Sequence, residues 1–94
     1  MTNREIAAVL FNISAILRAQ EGNPYRIRAY RRAARFLLRM RQQVRDRLAN
    51  NLPIGIPRLG KSLTAKISAL ATEGRCDFYD DLVDTLPPDE ARLV

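Results

Sequence analysis

Apolar and polar positions recur along the chain with a helical period, in five segments separated by short breaks. In the first segment they define one buried face of a helix that ends near Arg18 or Ala19. The apolar positions of this face are Ile6, Val9, Leu10, Ile13, Ile16 and Leu17. Ahead of them, Thr2 and Glu5 have the spacing of a capping box, in which each side chain bonds the other residue's backbone N–H. The pattern therefore predicts where the first helix begins and where it ends.

The second segment combines an apolar face with a strongly basic flank. Gly22 ends the preceding helix, and Asn23-Pro24 suits an N-cap followed by the first helical position. The positions predicted to face the core are Ile27, Tyr30, Ala34, Leu37 and Leu38. The basic positions, on a different flank, are Arg28, Arg32, Arg35 and Arg39. Repulsion along such a flank costs stability at low salt unless an anion offsets it.

Three shorter helices complete the pattern. The third carries Val44 and Leu48 inward and ends near Asn50-Asn51, and the fourth runs from Lys61 or Ser62 to Glu73-Gly74. The fifth is acidic, spans 77–86, is capped by Asp77 and is broken by Pro87-Pro88. The inward positions of the last two helices are Leu63, Ile67, Leu70, Phe78, Leu82, Val83 and Leu86. With no period-two segment long enough for a strand, we expect an all-α fold, a compact bundle of four to five short helices.

Length and composition narrow the class of protein. With 94 residues, the chain is expected to form a single domain over 1–94. It has no apolar run near the roughly 18 residues of a membrane span. A single cysteine, Cys76, excludes an internal disulfide and fits a reducing cytoplasmic setting. The chain contains no histidine, so a Ser–His triad lacks its base and no metal site built from side chains is expected.

The charge is unevenly distributed along the chain. Sixteen basic residues face ten acidic ones, a net charge of +6, but residues 76–94 hold six of the ten acids and a single arginine. Fourteen of the sixteen basic residues are arginine, whose planar fork of donors matches phosphate better than the point charge of lysine. This distribution indicates a polyanion-binding body with an acidic end. A GC-rich genome would also raise the arginine content without any function behind it.

The turn before the fourth helix has the composition of an anion site. It reads Ile56-Pro57-Arg58-Leu59-Gly60, and the helix follows at Lys61. A glycine turn at a helix N-terminus exposes backbone N–H groups where the helix dipole is positive, so the amides of Gly60–Ser62 suit a phosphate and read no bases. A plain helix–turn–helix corner remains an equally open interpretation. The helix-hairpin-helix unit would span about 44–74.

Two blocks of the sequence carry a family resemblance. Residues 23–34, NPYRIRAYRRAA, and residues 56–67, IPRLGKSLTAKI, resemble the small N-terminal domain of family X DNA polymerases, the polymerase beta type, and its bacterial members above all. The resemblance implies a helix-hairpin-helix domain that binds the backbone of gapped or single-stranded DNA in repair or replication. It also implies a location at the nucleoid and a polymerase or repair protein as a partner. The palm and its catalytic carboxylates are missing, so no polymerase activity is expected.

The arginine flank and the resemblance together define the candidate DNA-binding residues. They are Arg26, Arg28, Arg32, Arg35, Arg39, Arg58, Gly60, Lys61 and Ser62. The resemblance also implies a monovalent cation held by the backbone carbonyls of Ile56 and Arg58, and no other cofactor. The family usually has glycine where Arg58 stands. Either the turn adapts and Arg58 itself becomes a phosphate ligand, or anion binding at the hairpin is impaired.

The resemblance implies a second activity for some members, the removal of a 5′-deoxyribose phosphate by a Schiff-base lysine. By motif position that lysine is Lys66, and Tyr30 matches a tyrosine that shapes the lyase pocket. An ordinary solvated lysine and a core aromatic are the simpler interpretations of these two residues. Ser62 stands where animal lyases carry a second lysine, which lowers the case for catalysis more than the case for binding. DNA binding without catalysis is therefore the leading hypothesis, and a protein-interaction adaptor is a third.

Overall fold

The computed structural model describes residues 1–86, and these form five α-helices without a strand. The helices are α1 (Asn3–Ala19), α2 (Pro24–Arg39), α3 (Val44–Ala49), α4 (Lys61–Glu73) and α5 (Asp77–Asp84). They pack into a compact body with a radius of gyration of 13.0 Å, which confirms the predicted all-α bundle. Within residues 1–86, no helix combines the length and the hydropathy needed to cross a membrane.

The start of α1 is fixed by the predicted capping box. The Thr2 hydroxyl accepts a hydrogen bond from the Glu5 backbone N–H at 3.2 Å, and the Glu5 carboxylate accepts one from the Thr2 backbone N–H at 3.0 Å. The second bond stabilises the ionised carboxylate and lowers the pKa of Glu5. Downstream of the box, Ile6, Leu10 and Ile13 are fully buried, so α1 is the central helix of the core.

Helix α2 packs along α1 after a tight connection. The Asn23 side chain caps it as predicted, accepting from the Tyr25 backbone N–H at 2.8 Å. Its buried face consists of Tyr30, Ala33, Ala34 and Leu37. The prediction for Leu38 was wrong, because this side chain is 53% exposed. Leu38 is turned about 100° from Leu37 and points past the edge of the buried face.

A buried asparagine joins the start of α1 to the start of α3. The Asn3 side-chain oxygen accepts from the Val44 backbone N–H at 2.8 Å, and its amide donates to the Gln42 carbonyl at 2.7 Å. The Gln43 side chain accepts from the Asn3 backbone N–H at 2.8 Å. Asn3 thus supplies the cap that α3 lacks locally, since Gln43 makes no side-chain capping bond. Val44 is fully buried as predicted, and Leu48 is half-buried.

Helices α4 and α5 close the bundle. Leu63, Ile67 and Leu70 are buried as predicted, and α4 ends on Gly74, whose φ of 73° places it in the left-handed region. The predicted cap of α5 was wrong. Cys76 is the N-cap, and Asp77 is the first helical residue. Helix α5 ends at Asp84, short of the predicted 86, and Pro87-Pro88 lies outside the described residues.

Candidate nucleic-acid interface

Four arginines form a continuous stripe on the solvent face of α2. Their positions, i, i+4, i+7 and i+11, bring them within about 60° of one another around the helix axis, opposite the face that packs on α1. All four residues are exposed: Arg28, Arg32, Arg35 and Arg39. With a rise of about 1.5 Å per residue, the stripe extends over roughly 16 Å. We call this set the arginine stripe.

The arginine stripe is not neutralised by any carboxylate of residues 1–86. The ion pairs within this range join Arg45 to Asp46, at 3.9 Å, and Arg75 to two acids of α5. Arg75 approaches Asp77 at 3.1 Å and Asp80 at 3.5 Å. The acids at the start of α5 are therefore directed towards their own neighbour and leave the charge of α2 uncompensated.

The hairpin turn keeps a left-handed residue at the position where the resembled family has glycine. Arg58 has a φ of 59°, and Gly55 has a φ of 89°. For a residue with a Cβ atom this conformation costs roughly 1–2 kcal/mol. The turn thus places a residue with a Cβ atom in the left-handed region, and a role for Arg58 as a phosphate ligand stays a proposal. The Arg58 side chain is exposed beside the start of α4.

Gly60 is a glycine that the fold itself does not require. Its φ of −72° and ψ of 164° are accessible to any residue, and a Cβ atom placed on it would meet no atom within 4 Å. As the N-cap of α4 it has no side chain to bond the free N–H groups of the first turn, which include those of Lys61 and Ser62. Because Gly60 has no side chain, a ligand can approach the backbone closely at this point.

Lys66 lies in a small pocket between α4 and α5. Its ammonium group donates to the Ser62 hydroxyl and lies 4.5 Å from the centre of the Phe78 ring. The pocket has a volume of about 290 Å³ and is also lined by Arg75 and Cys76. The hydrogen bond and the ring face both hold the amine in a defined position, half-buried at the pocket wall.

Two further predicted residues, Tyr30 and Arg26, also contact the Phe78 ring. The Tyr30 ring is buried and stacks on Phe78 with the ring centres 6.4 Å apart and a 5° angle between planes. The Arg26 guanidinium lies 5.7 Å from the centre of the Phe78 ring. Tyr30, Arg26 and Lys66 thus converge on Phe78, a residue that the sequence marked only as apolar. This burial of Tyr30 agrees with its interpretation as a core aromatic.

Two features of this surface were not indicated by the sequence pattern. Tyr25 is 77% exposed, and the Arg28 guanidinium lies 5.4 Å from the centre of its ring. The second is Arg47, which donates to the Pro53 carbonyl at 2.8 Å and to the Gln42 side chain at 2.6 Å. An aromatic residue beside the N-cap of a basic helix could have indicated the exposed ring of Tyr25. Nothing in the local sequence indicates the hydrogen bonds of Arg47.

These features define a small all-α domain with a basic helix and a glycine-containing turn before a helix N-terminus. A family model described as "Helix-hairpin-helix domain" matches residues 1–76, and the chain belongs to this family. Helix-hairpin-helix domains are generally DNA-binding. A comparison with curated proteins gives no match.

Proposed function

We propose that this domain binds gapped or single-stranded DNA through the phosphate backbone, without reading base sequence, as part of DNA repair or replication. The observation that carries the proposal is the arginine stripe, four exposed guanidinium groups with no acidic partner in residues 1–86. The open backbone at Gly60 and the exposed side chains of Arg58 and Lys61 supply a second contact region at the hairpin. Such contacts position a protein on nucleic acid and carry no sequence information.

A preference for unpaired DNA is supported by Tyr25. The Tyr25 ring is 77% exposed, and the Arg28 guanidinium lies 5.4 Å from its centre. At this exposure the ring contributes little to the packing of the core. Aromatic side chains beside arginines stack the bases of single strands and contribute roughly 1–3 kcal/mol per base. In a duplex the same bases are stacked on each other and are not available.

Fluorescence anisotropy with labelled gapped, single-stranded and duplex DNA at two salt concentrations tests the proposal. We expect nonspecific dissociation constants of roughly 10⁻⁴–10⁻⁶ M near physiological salt, with tighter binding at low salt. Arg35→Glu should weaken binding to all three forms. Arg4→Glu, an equal change of charge at an exposed position of α1, is the matched control and should have a much smaller effect. Equal effects of the two variants, or affinity independent of salt, would contradict the proposal.

The polymerase beta resemblance is part of the same proposal. It is supported by the way in which its two sequence blocks meet, because Arg26 and Tyr30 of the first block and Lys66 of the second all lie at Phe78. A polymerase or repair protein acting on the same DNA is the corresponding partner.

A cation at the carbonyls of Ile56 and Arg58 also stays a proposal. It is tested by comparing DNA affinity in potassium and in tetramethylammonium salts at equal ionic strength.

A lyase activity at Lys66 is a second candidate, favoured by the pocket of about 290 Å³ in front of its amine. The neutral amine would attack the C1′ aldehyde of an abasic sugar and release water to form an imine. Loss of a C2′ proton and departure of the 3′ phosphate from C3′ would follow, and hydrolysis of the imine would restore the lysine. The Lys66 amine contacts both the Phe78 ring and the Ser62 hydroxyl, so substrate binding must displace at least one of these contacts.

Borohydride trapping on abasic DNA tests the lyase candidate. A covalent adduct that forms with the wild type and with Lys61→Ala, but not with Lys66→Ala, supports it. Lys61 is the matched control because it is the only other lysine of the chain and is exposed at the start of the same helix. An adduct that survives Lys66→Ala, or no adduct at all under conditions where DNA is bound, ends the idea.

The adaptor alternative is less supported by the surface. Within residues 1–86 the exposed large apolar side chains are Tyr25, Leu38 and Leu52. Tyr25 and Leu38 are turned about 140° apart around α2, so they do not form one patch. Absence of DNA binding at low salt would favour the adaptor over the other two hypotheses.

A further inference from the structure

A surface depression lies where the end of α2 meets the hairpin loop, away from the Lys66 pocket. It has a volume of about 500 Å³, within the usual range for sites that hold one small group. Its lining combines an apolar floor with two basic side chains and a glycine. These residues are Phe36, Arg39, Met40, Arg41, Gln42 and Gly55.

Phe36 is the feature of this depression that the fold does not explain. Its ring is half-buried, yet it is not among the side chains that pack against the core of residues 1–86. Along α2 it lies about 40° from Arg32 and 60° from Arg39, at the border of the arginine stripe. A phenylalanine at such a position gains little from folding, and its side chain lines an open depression.

The basic residues at the rim are available for a ligand. Arg39 and Arg41 are exposed, and within residues 1–86 neither forms an ion pair or a side-chain hydrogen bond. Arg39 is also the last member of the arginine stripe. A strand whose phosphates follow the stripe therefore arrives at the depression without a change of direction.

The wall of the depression is fixed before any ligand arrives. The Arg47 guanidinium lies under Gly55, where a Cβ atom would come within 3.1 Å of it. The same guanidinium bonds the Pro53 carbonyl and the Gln42 side chain, and the Gln42 carbonyl in turn accepts from Asn3. Because these side chains are already held in place, less conformational entropy is lost when a ligand enters the depression, which favours binding.

We propose that this depression is a subsite for one unpaired DNA base, which stacks on Phe36 while its flanking phosphates contact Arg39 and Arg41. This inference rests on the proposed function and deepens it by locating where a single strand leaves the arginine stripe. Met40 supplies the second apolar contact for the base. A nucleic-acid strand fits better than an acidic peptide because the charge of the stripe continues for roughly 16 Å up to this point.

A double-mutant cycle between the ring and the base tests the subsite. The two ligands are a short oligothymidine and an oligomer of equal length and charge in which stable tetrahydrofuran spacers replace the bases. Anisotropy titrations compare the wild type with Phe36→Leu, which removes the ring, and with Phe36→Tyr, which retains it. Thermal melting checks that each variant is folded, and little change is expected because Phe36 lies outside the core.

The expected result is a loss that depends on both the ring and the base. Phe36→Leu should weaken oligothymidine binding by roughly five- to a hundredfold, the range for one stacked base. It should leave binding of the spacer oligomer and of blunt duplex within about twofold, and Phe36→Tyr should behave like the wild type. Equal loss on all ligands, or no loss on any, overturns the subsite. Wild-type protein that binds none of the ligands overturns the proposed function instead.

Photocrosslinking gives an independent readout. Oligothymidine carrying one 5-iododeoxyuridine, irradiated in the complex and digested with trypsin, should label the peptide 36–39 or the adjoining peptide that contains Met40. Labelling confined to other peptides overturns the assignment of the base to this depression.

Discussion

Position 58 places a charged side chain where the backbone favours glycine. The left-handed φ of 59° at Arg58 stores strain, and within residues 1–86 the Arg58 side chain forms no ion pair that compensates for it. Strain of this kind persists where another demand outweighs it, and under the proposed function that demand is a phosphate contact by the Arg58 guanidinium. A substitution by glycine at residue 58 is therefore expected to change stability and DNA affinity in opposite directions.

Arg58→Gly should raise stability and lower DNA affinity together. Relief of the left-handed strain, less the added freedom of the unfolded chain, gives a gain of about 1 kcal/mol, or roughly 4–8 °C in Tm. Calorimetry and anisotropy measure the two effects. Arg58→Ala is the control, since it removes the charge but keeps the strain. A glycine variant no more stable than the alanine variant would contradict this account.

Gly60→Ser should also lower DNA affinity, but with little change in stability. Serine is a good N-cap and the site has room for its Cβ atom, so the free energy of unfolding should change by less than about 0.5 kcal/mol. The added side chain would occupy the space in which a phosphate approaches the amides, so affinity for DNA should fall. Unchanged affinity in a normally folded variant would remove the hairpin backbone from the interface.

At the scale of elements, long-range polar contacts decide how the helices are joined. Helix α3 has six residues and no local cap, so it depends on Asn3 at the start of α1. The hairpin loop likewise depends on Arg47 of α3, through the Pro53 carbonyl. The loop before α4 is thus held by a side chain of α3, and α3 is in turn held by a side chain of α1.

Asn3→Ala should destabilise the domain by about 2–3 kcal/mol, because it leaves a buried N–H at Val44 and the Gln42 carbonyl without their partners. Urea denaturation followed by circular dichroism measures the change. Asn50→Ala is the matched control, since the Asn50 side chain bonds one exposed carbonyl and should cost less than about 1 kcal/mol. Similar losses at the two positions would contradict the role given to Asn3.

The sequence predicted those elements whose signals are local. Caps at Thr2 and Asn23, the stop at Gly74 and the apolar period of α4 each depend on residues within one or two turns, and the structure confirms them. Leu38 was misplaced because a period alone does not define how wide the buried face is. The convergence of Lys66 and Tyr30 on Phe78 joins residues far apart in sequence, and no single-segment pattern contains that information.

At the scale of the whole molecule, the two candidate regions face different directions. The Lys66 pocket lies towards the core side of α2, where Tyr30 stacks on Phe78, and the arginine stripe lies on the opposite side of the same helix. One phosphate cannot contact both. A bound DNA must therefore either pass around the end of α2 or present two separate segments.

The number of phosphates on the stripe is measurable from the dependence of affinity on salt. Each lost phosphate contact lowers the slope of log K against log salt by about 0.7 for single strands, so Arg32→Gln with Arg35→Gln should lower it by about 1.4. The same pair of neutralising changes at Arg4 and Arg45, both exposed and off the stripe, should leave the slope nearly unchanged. Identical slopes for the two double variants would show that total charge, and not the stripe, governs binding.

Helix α5 differs from the other helices because none of its residues is fully buried. Its links to the body are half-buried contacts such as the Phe78 ring and a hydrogen bond of 3.1 Å between Asn12 and the Tyr79 hydroxyl. Undocking it gives up less free energy than unfolding the whole domain, so its amide protons should exchange with deuterium well before those of α1. Each such excursion would remove the Phe78 ring from the amine of Lys66 and open its pocket, while the core around α1 stays folded.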